Sequence, residues 1–172
     1  MKNLHTLLQS NKIDDIHKGL SMAETNASLK DLSLILELLA HPEMEQFEVQ
    51  IIELVSNVSY SKANEIIIEY FKKFRHSNKA LRALFQMAWQ SRLDFSSEME
   101  YWVELFLEAD YLTSIEAFTL IENIWQDYSY TPESKAIILS LLRPQLKSAE
   151  EHKHNLISAL IKTIETTEHI DE

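Results

Sequence analysis

Apolar residues along this chain recur at three- and four-residue steps, the spacing that places side chains on one face of an α-helix. Ile13, Ile16, Leu20 and Ala23 mark such a face over residues 12–24, and Phe47, Ile51, Leu54 and Val55 mark another over 44–57. Leu4, Leu7 and Leu8 predict a short terminal helix ahead of them. The same pattern predicts helices over 29–40, 61–74, 78–92, 96–110, from Thr113 or Ser114 onward, 131–144 and 150–167. The helix from Thr113 or Ser114 is expected to bury Ser114 or Ile115 with Phe118, Ile121 and Trp125. The last should bury Leu156, Leu160, Ile161 and Ile164.

Local signals agree with this division. Asn26 or Ser28 can cap the helix at 29, and Ser28 with Asp31 forms a capping-box-like pair. His41-Pro42 stops that helix, because a residue before proline is pushed out of the α region. Ser61, Ser77 or Asn78, Ser96 or Ser97, and Thr131 stand where helices begin. Pro132 takes a first helical position, which needs no backbone donor, and Pro144 should kink or end its helix. Gly19 lies inside the second helix, where we expect it to be tolerated and not demanded by a close helix approach.

A phrase repeats over these helices. Tyr60-Ser61, Phe95-Ser96 and Tyr130-Thr131 fall 35 residues apart, and each opens an apolar-periodic segment. Trp89-Gln90 and Trp125-Gln126 sit 36 residues apart between them, and the two tryptophans are expected to be repeated packing residues. A period in the 30s with two helices per unit marks an α-solenoid. In this period, helix length and aromatic-Ser/Thr phrase the chain resembles the HEAT and armadillo-like superfamily, over roughly residues 28–167. The resemblance implies an all-α fold of antiparallel helix pairs stacked as a short HEAT-like solenoid, with an irregular helical bundle as the alternative. The 172 residues are expected to form one domain.

Composition narrows the function classes. One glycine and three prolines leave little for tight turns and rule out a glycine-rich phosphate loop. The absence of cysteine excludes disulfides, thiolate metal sites and a cysteine nucleophile, and fits a reducing, cytoplasmic setting. No signal-peptide pattern opens the chain, and no apolar run approaches the length of a membrane span. A formal net charge of -11 argues against nucleic acid as the main ligand, since basic groups normally supply that affinity.

The charge is unevenly placed. Lys72, Lys73, Arg75, Lys79, Arg82 and Arg92 occupy residues 70–92 without an acidic residue among them. Residues 93–134 then carry ten acidic side chains and no Lys, Arg or His. Glu100, Glu104 and Glu108 fall on one stripe of a helix with Tyr101 beside them, opposite the apolar Met99, Trp102, Val103 and Phe106. On the next helix Glu116, Asn123 and Asp127 share an outer face. Carboxylates with a tyrosine suit a basic protein surface: the acids steer and pair while the ring adds apolar contact. These seven residues are the expected protein-binding site. Lys72 and Lys73 are expected to favour a helix C-terminus, with Glu69 pairing Lys73.

Marks of catalysis are weak. The seven histidines form no HExxH, and His152 and His154 diverge on a helix, so structural or solvent-exposed histidine is expected, without metal or cofactor. Some HEAT-like proteins are DNA alkylation-repair glycosylases, which this chain resembles only in helical repetition. The expectation is a non-catalytic binding module or adaptor, such as an inhibitory or immunity-type protein that neutralises a basic effector. A structural scaffold is the alternative, followed by a HEAT-like hydrolase or glycosylase.

Overall fold

The computed structural model describes residues 3–167 as helices joined by short turns, with no strand among them. Two compact units divide the chain, Met1–Leu93 and Asp94–Glu172. The boundary falls where the basic stretch gives way to the acidic one.

The first unit contains α1 (Leu4–Leu8), α2 (Ile13–Asn26), α3 (Leu29–Glu37), α4 (Glu48–Ser56), α5 (Ala63–Lys73) and α6 (Asn78–Gln90). Helices α1, α3 and α5 lie side by side in that order, as do α2, α4 and α6. Each helix therefore packs beside the next but one as well as its chain neighbour. The second unit repeats the arrangement with α7 (Met99–Glu108), α8 (Tyr111–Asp127), α9 (Pro132–Leu142) and α10 (Glu151–Thr166). There α9 lies beside α7, α10 lies beside α8, and α7 packs against α8.

Several helix ends follow the sequence signals. Ser28 caps α3, its backbone N–H and its hydroxyl both donating to the Asp31 carboxylate at 2.7 Å. Ser77 accepts from the Ala80 N–H, and Thr131 accepts from the Ser134 N–H ahead of Pro132. Pro144 sits in a 3₁₀ turn, Arg143–Lys147, that takes over where α9 ends.

Other starts differ. Ser61 does not cap α5; Lys62 precedes that helix in a left-handed conformation with φ 70°, an uncommon backbone state for a residue with a Cβ. A 3₁₀ turn at Met44–Gln46 delays α4 to Glu48, and another at Ser96–Glu98 delays α7 to Met99. Helix α8 begins at Tyr111, ahead of Thr113 and Ser114, because the Asp110 carboxylate accepts the Thr113 N–H at 2.9 Å. Ser114 then becomes a core residue, donating to the Phe106 carbonyl at 2.9 Å, while Ile115 and Phe118 are only half-buried.

Each unit has its own apolar centre. Ile16, Leu20, Ile35, Phe47, Ile51, Phe71 and Phe85 are fully buried in the first, with Phe71 and Phe85 rings 4.8 Å apart. Phe95, Trp102, Phe106, Ile121 and Trp125 fill the second. Removing one such side chain from water contributes roughly 1.5–3 kcal/mol, so these positions dominate stability. Trp125 is fully buried and stacks on Tyr130 at 4.5 Å, whereas Trp89 is half-buried.

Gly19 corrects the sequence expectation. A Cβ there would lie 3.0 Å from the Leu7 Cβ and 3.1 Å from the Leu8 backbone nitrogen, so α1 crosses α2 at contact distance. Those atoms move only with the α1 backbone. At an open helix position alanine gains about 1 kcal/mol over glycine. Here Gly19→Ala should instead lower the unfolding free energy by about 1 kcal/mol, because overpacking displaces α1; urea denaturation of the two proteins checks the sign.

Candidate functional site

Helix α7 carries four of the seven residues expected to bind protein, and the structure divides that set. Glu100, Tyr101 and Glu104 line a groove of about 460 Å³ between α7 and α9, whose far wall holds Tyr130, Ser134 and Ile138. Glu108 is exposed nearer the end of α7 and is not part of the lining. Glu116, Asn123 and Asp127 belong to α8, the first two half-buried and the third exposed, and none reaches the groove. The helices at residues 99–108 and 111–127 thus do not present their acids to one common groove.

The groove end is organised by residues outside the expected set. The Asp94 carboxylate accepts the Ser96 N–H at 2.8 Å. Burial resists its ionisation, but hydrogen bonds from Ser96 and Tyr128 outweigh that and hold its carboxyl below the usual range. Burial and the same aspartate push the Tyr130 phenol up. Tyr130 donates to the Ser96 carbonyl at 3.4 Å, and the Trp102 indole donates to the Phe95 carbonyl at 2.8 Å.

At the other end of α7, Lys153 of α10 donates to the Leu107 and Ala109 carbonyls at 2.7 and 2.5 Å. These acceptors have no helical partner, and a cation there complements the helix dipole. Burial lowers the Lys153 pKa, while Asp110 and Glu150 oppose that shift. Sequence spacing gave no warning of this contact, because the two ends lie more than ten turns of helix apart along the chain.

The basic stretch is also largely engaged. Lys73 donates to Glu37 of α3 at 2.6 Å, and Lys79 pairs with Glu45 at 2.9 Å. The partner of Lys73 is therefore Glu37 in the neighbouring helix, not the Glu69 one turn back that sequence spacing offered. Burial opposes ionisation of Glu37, yet hydrogen bonds from Lys73 and Tyr70 win and lower its pKa.

The histidines are dispersed. His5 donates to Asp31 at 2.7 Å, His17 contacts Gln50 at 3.0 Å, and His41 accepts from the Glu43 N–H at 3.0 Å. His152 meets Tyr111 and Glu150, whereas His154 donates to the Leu146 carbonyl. His169 lies outside the described residues. Among the described residues, no three His, Asp or Glu side chains gather as a metal site, and no helix is long and apolar enough to cross a membrane.

Comparison with known proteins finds no matching family model, curated protein or solved structure.

Asp31 offers a test of the first unit. It is buried, and although burial disfavours its charge, bonds from Ser28 and His5 bring its pKa below the ordinary 3.8. A carboxyl with a lowered folded pKa stabilises above its unfolded value and loses that contribution as pH falls through the folded one. Asp31→Asn should therefore cost about 2 kcal/mol at neutral pH, and flatten the acid loss below about pH 4. Urea midpoints at about pH 7 and about pH 3 measure both.

Proposed function

We propose that this chain is a non-catalytic structural scaffold, a short HEAT-like array of helix pairs that holds other proteins in place. The observation that carries the reading is where its perturbed polar groups are engaged. Asp31 binds Ser28 and His5, Glu37 binds Lys73 and Tyr70, Tyr130 binds Ser96, and Lys153 binds the end of α7. A catalytic site draws such groups toward one cavity. Most of these groups instead tie one helix to another, Glu37 and Tyr130 across 33–36 residues, Asp31 to His5 across 26 and Lys153 to Leu107 across 46, while the Ser28 bond closes the cap of α3 itself. Side-by-side stacking of this kind leaves an extended surface for partners.

A second reading is favoured by the groove that gathers Glu100, Tyr101 and Glu104. In it the chain binds a protein with a basic surface, with the carboxylates pairing and the tyrosine supplying apolar contact. Complexes purified from the native lysate with wild type and with Glu100→Gln, Glu104→Gln, Glu108→Gln separate the two. Matched circular dichroism comes first. The scaffold reading predicts the same multi-protein assembly with both chains. Selective loss of one basic partner would transfer the function to the acidic groove, and recovery of a lone monomer would contradict the scaffold.

A further inference from the structure

In the first unit, α2 and α4 lie side by side in the same direction, and both end on a groove of about 470 Å³. That volume is within the range of about 300–1,000 Å³ typical of ligand sites. Ala23, Leu54 and Val58 form its apolar surface, with the Tyr60 ring at one side. The Tyr60 hydroxyl donates to the Ala27 carbonyl, which fixes the ring in place.

The two helix ends that meet at this groove carry acidic residues and no cation. A helix C-terminus carries roughly half a negative charge and favours a cation. Lys72 and Lys73 satisfy this in the last turn of α5, but neither α2 nor α4 has a basic residue in its last turn. Each has a glutamate there instead, Glu24 and Glu53, and both line the groove. No Lys, Arg or His is in the lining. With the two dipoles the groove holds on the order of three negative charges.

Three other carboxylate-bearing helix ends are met from within the chain. Glu37 is paired by Lys73, Glu165 is paired by Arg143, and the end of α7 at Glu108 is capped by Lys153. Glu24 receives only a long hydrogen bond from Gln50, at 3.4 Å, and neither Glu24 nor Glu53 forms an ion pair among the described residues. Among the described residues no cation lines the groove to compensate this placement, and one from outside would.

We propose that the groove between the ends of α2 and α4 is a docking site for an arginine or lysine side chain on a basic segment of a partner protein. The alkyl stem lies over Ala23, Leu54 and Val58, and the charged head meets Glu24, Glu53 and the helix-end carbonyls. The Tyr60 face adds a cation–π contact. This site lies in a different unit from the acidic residues of α7, and it does not depend on the scaffold reading.

The probe is a capped alanine pentapeptide with one central arginine, compared with the same peptide carrying citrulline, which keeps the shape and removes the charge. Amide shifts are followed by two-dimensional NMR at low and physiological salt. Saturable shifts centred on residues 23–27 and 53–60 are expected, weakening with salt and about tenfold weaker with citrulline. Glu24→Gln with Glu53→Gln should weaken binding about tenfold while raising the melting temperature, since it removes charges from the wrong end of two helices. Glu100→Gln with Glu104→Gln should leave the affinity unchanged. Equal binding of citrulline, shifts centred on the second unit, no saturable shift in wild type, or full affinity in the Glu24/Glu53 variant would each overturn the site.

Discussion

Tyrosine hydroxyls that reach backward to main-chain carbonyls hold successive helices of this chain in register. Tyr60 donates to Ala27, Tyr70 to Ser33 and Tyr130 to Ser96, at separations of 33, 37 and 34 residues. Each bond joins one helix segment to the corresponding segment a repeat earlier. Apolar burial alone is non-directional and would let neighbouring helices slide by a turn. A directed bond from a rigid phenol to a fixed carbonyl prevents that slide, and an unmade partner inside the fold would be costly. Phe95 occupies the middle copy of the repeated phrase without a hydroxyl, and it packs instead against Trp102 with ring centres 6.1 Å apart.

Charged groups extend the same logic. Lys73 with Glu37 and Lys79 with Glu45 link neighbouring helices in the first unit; Lys153 and Arg143 do so in the second. Exposed pairs contribute little, about 0–1 kcal/mol each. Their consequence is that much of the basic stretch serves the fold and is not a free cationic surface. Of the acidic residues in the second unit, Glu100 and Glu104 stand at the α7 groove and Glu116 and Asp127 on α8, and the whole chain has a net charge of -11.

What could be read in advance was local. Helical spacing located every helix, and the Ser28–Asp31 cap, the Pro132 start and the Pro144 stop each depend on residues within one turn. The all-α class follows from that spacing. What escaped depends on distance in sequence. Gly19 looked dispensable because its reason is the α1 backbone, and Lys73 looked like a partner for Glu69 because Glu37 is 36 residues away. Thr113 and Ser114 looked like caps from residue type alone, but Asp110 caps the Thr113 amide and starts the helix three residues earlier. Of the expected site, Glu100, Tyr101 and Glu104 share a groove because they share one helix; helical phase cannot say that α8 faces elsewhere. The groove at the ends of α2 and α4 carried one available signal, a glutamate in the last turn of each helix with no cation nearby.

Native-state hydrogen exchange on Tyr60→Phe and Tyr130→Phe tests the register-holding role of the tyrosines most directly. Loss of one hydrogen bond, about 1 kcal/mol, should speed exchange about fivefold in both segments that each bond joins. For Tyr60 these are the end of α2 with the start of α3, and α5; for Tyr130 they are α7 and α9. The unit without the substitution should be unaffected. Unchanged exchange, or faster exchange confined to the substituted residue's own helix, would contradict the account.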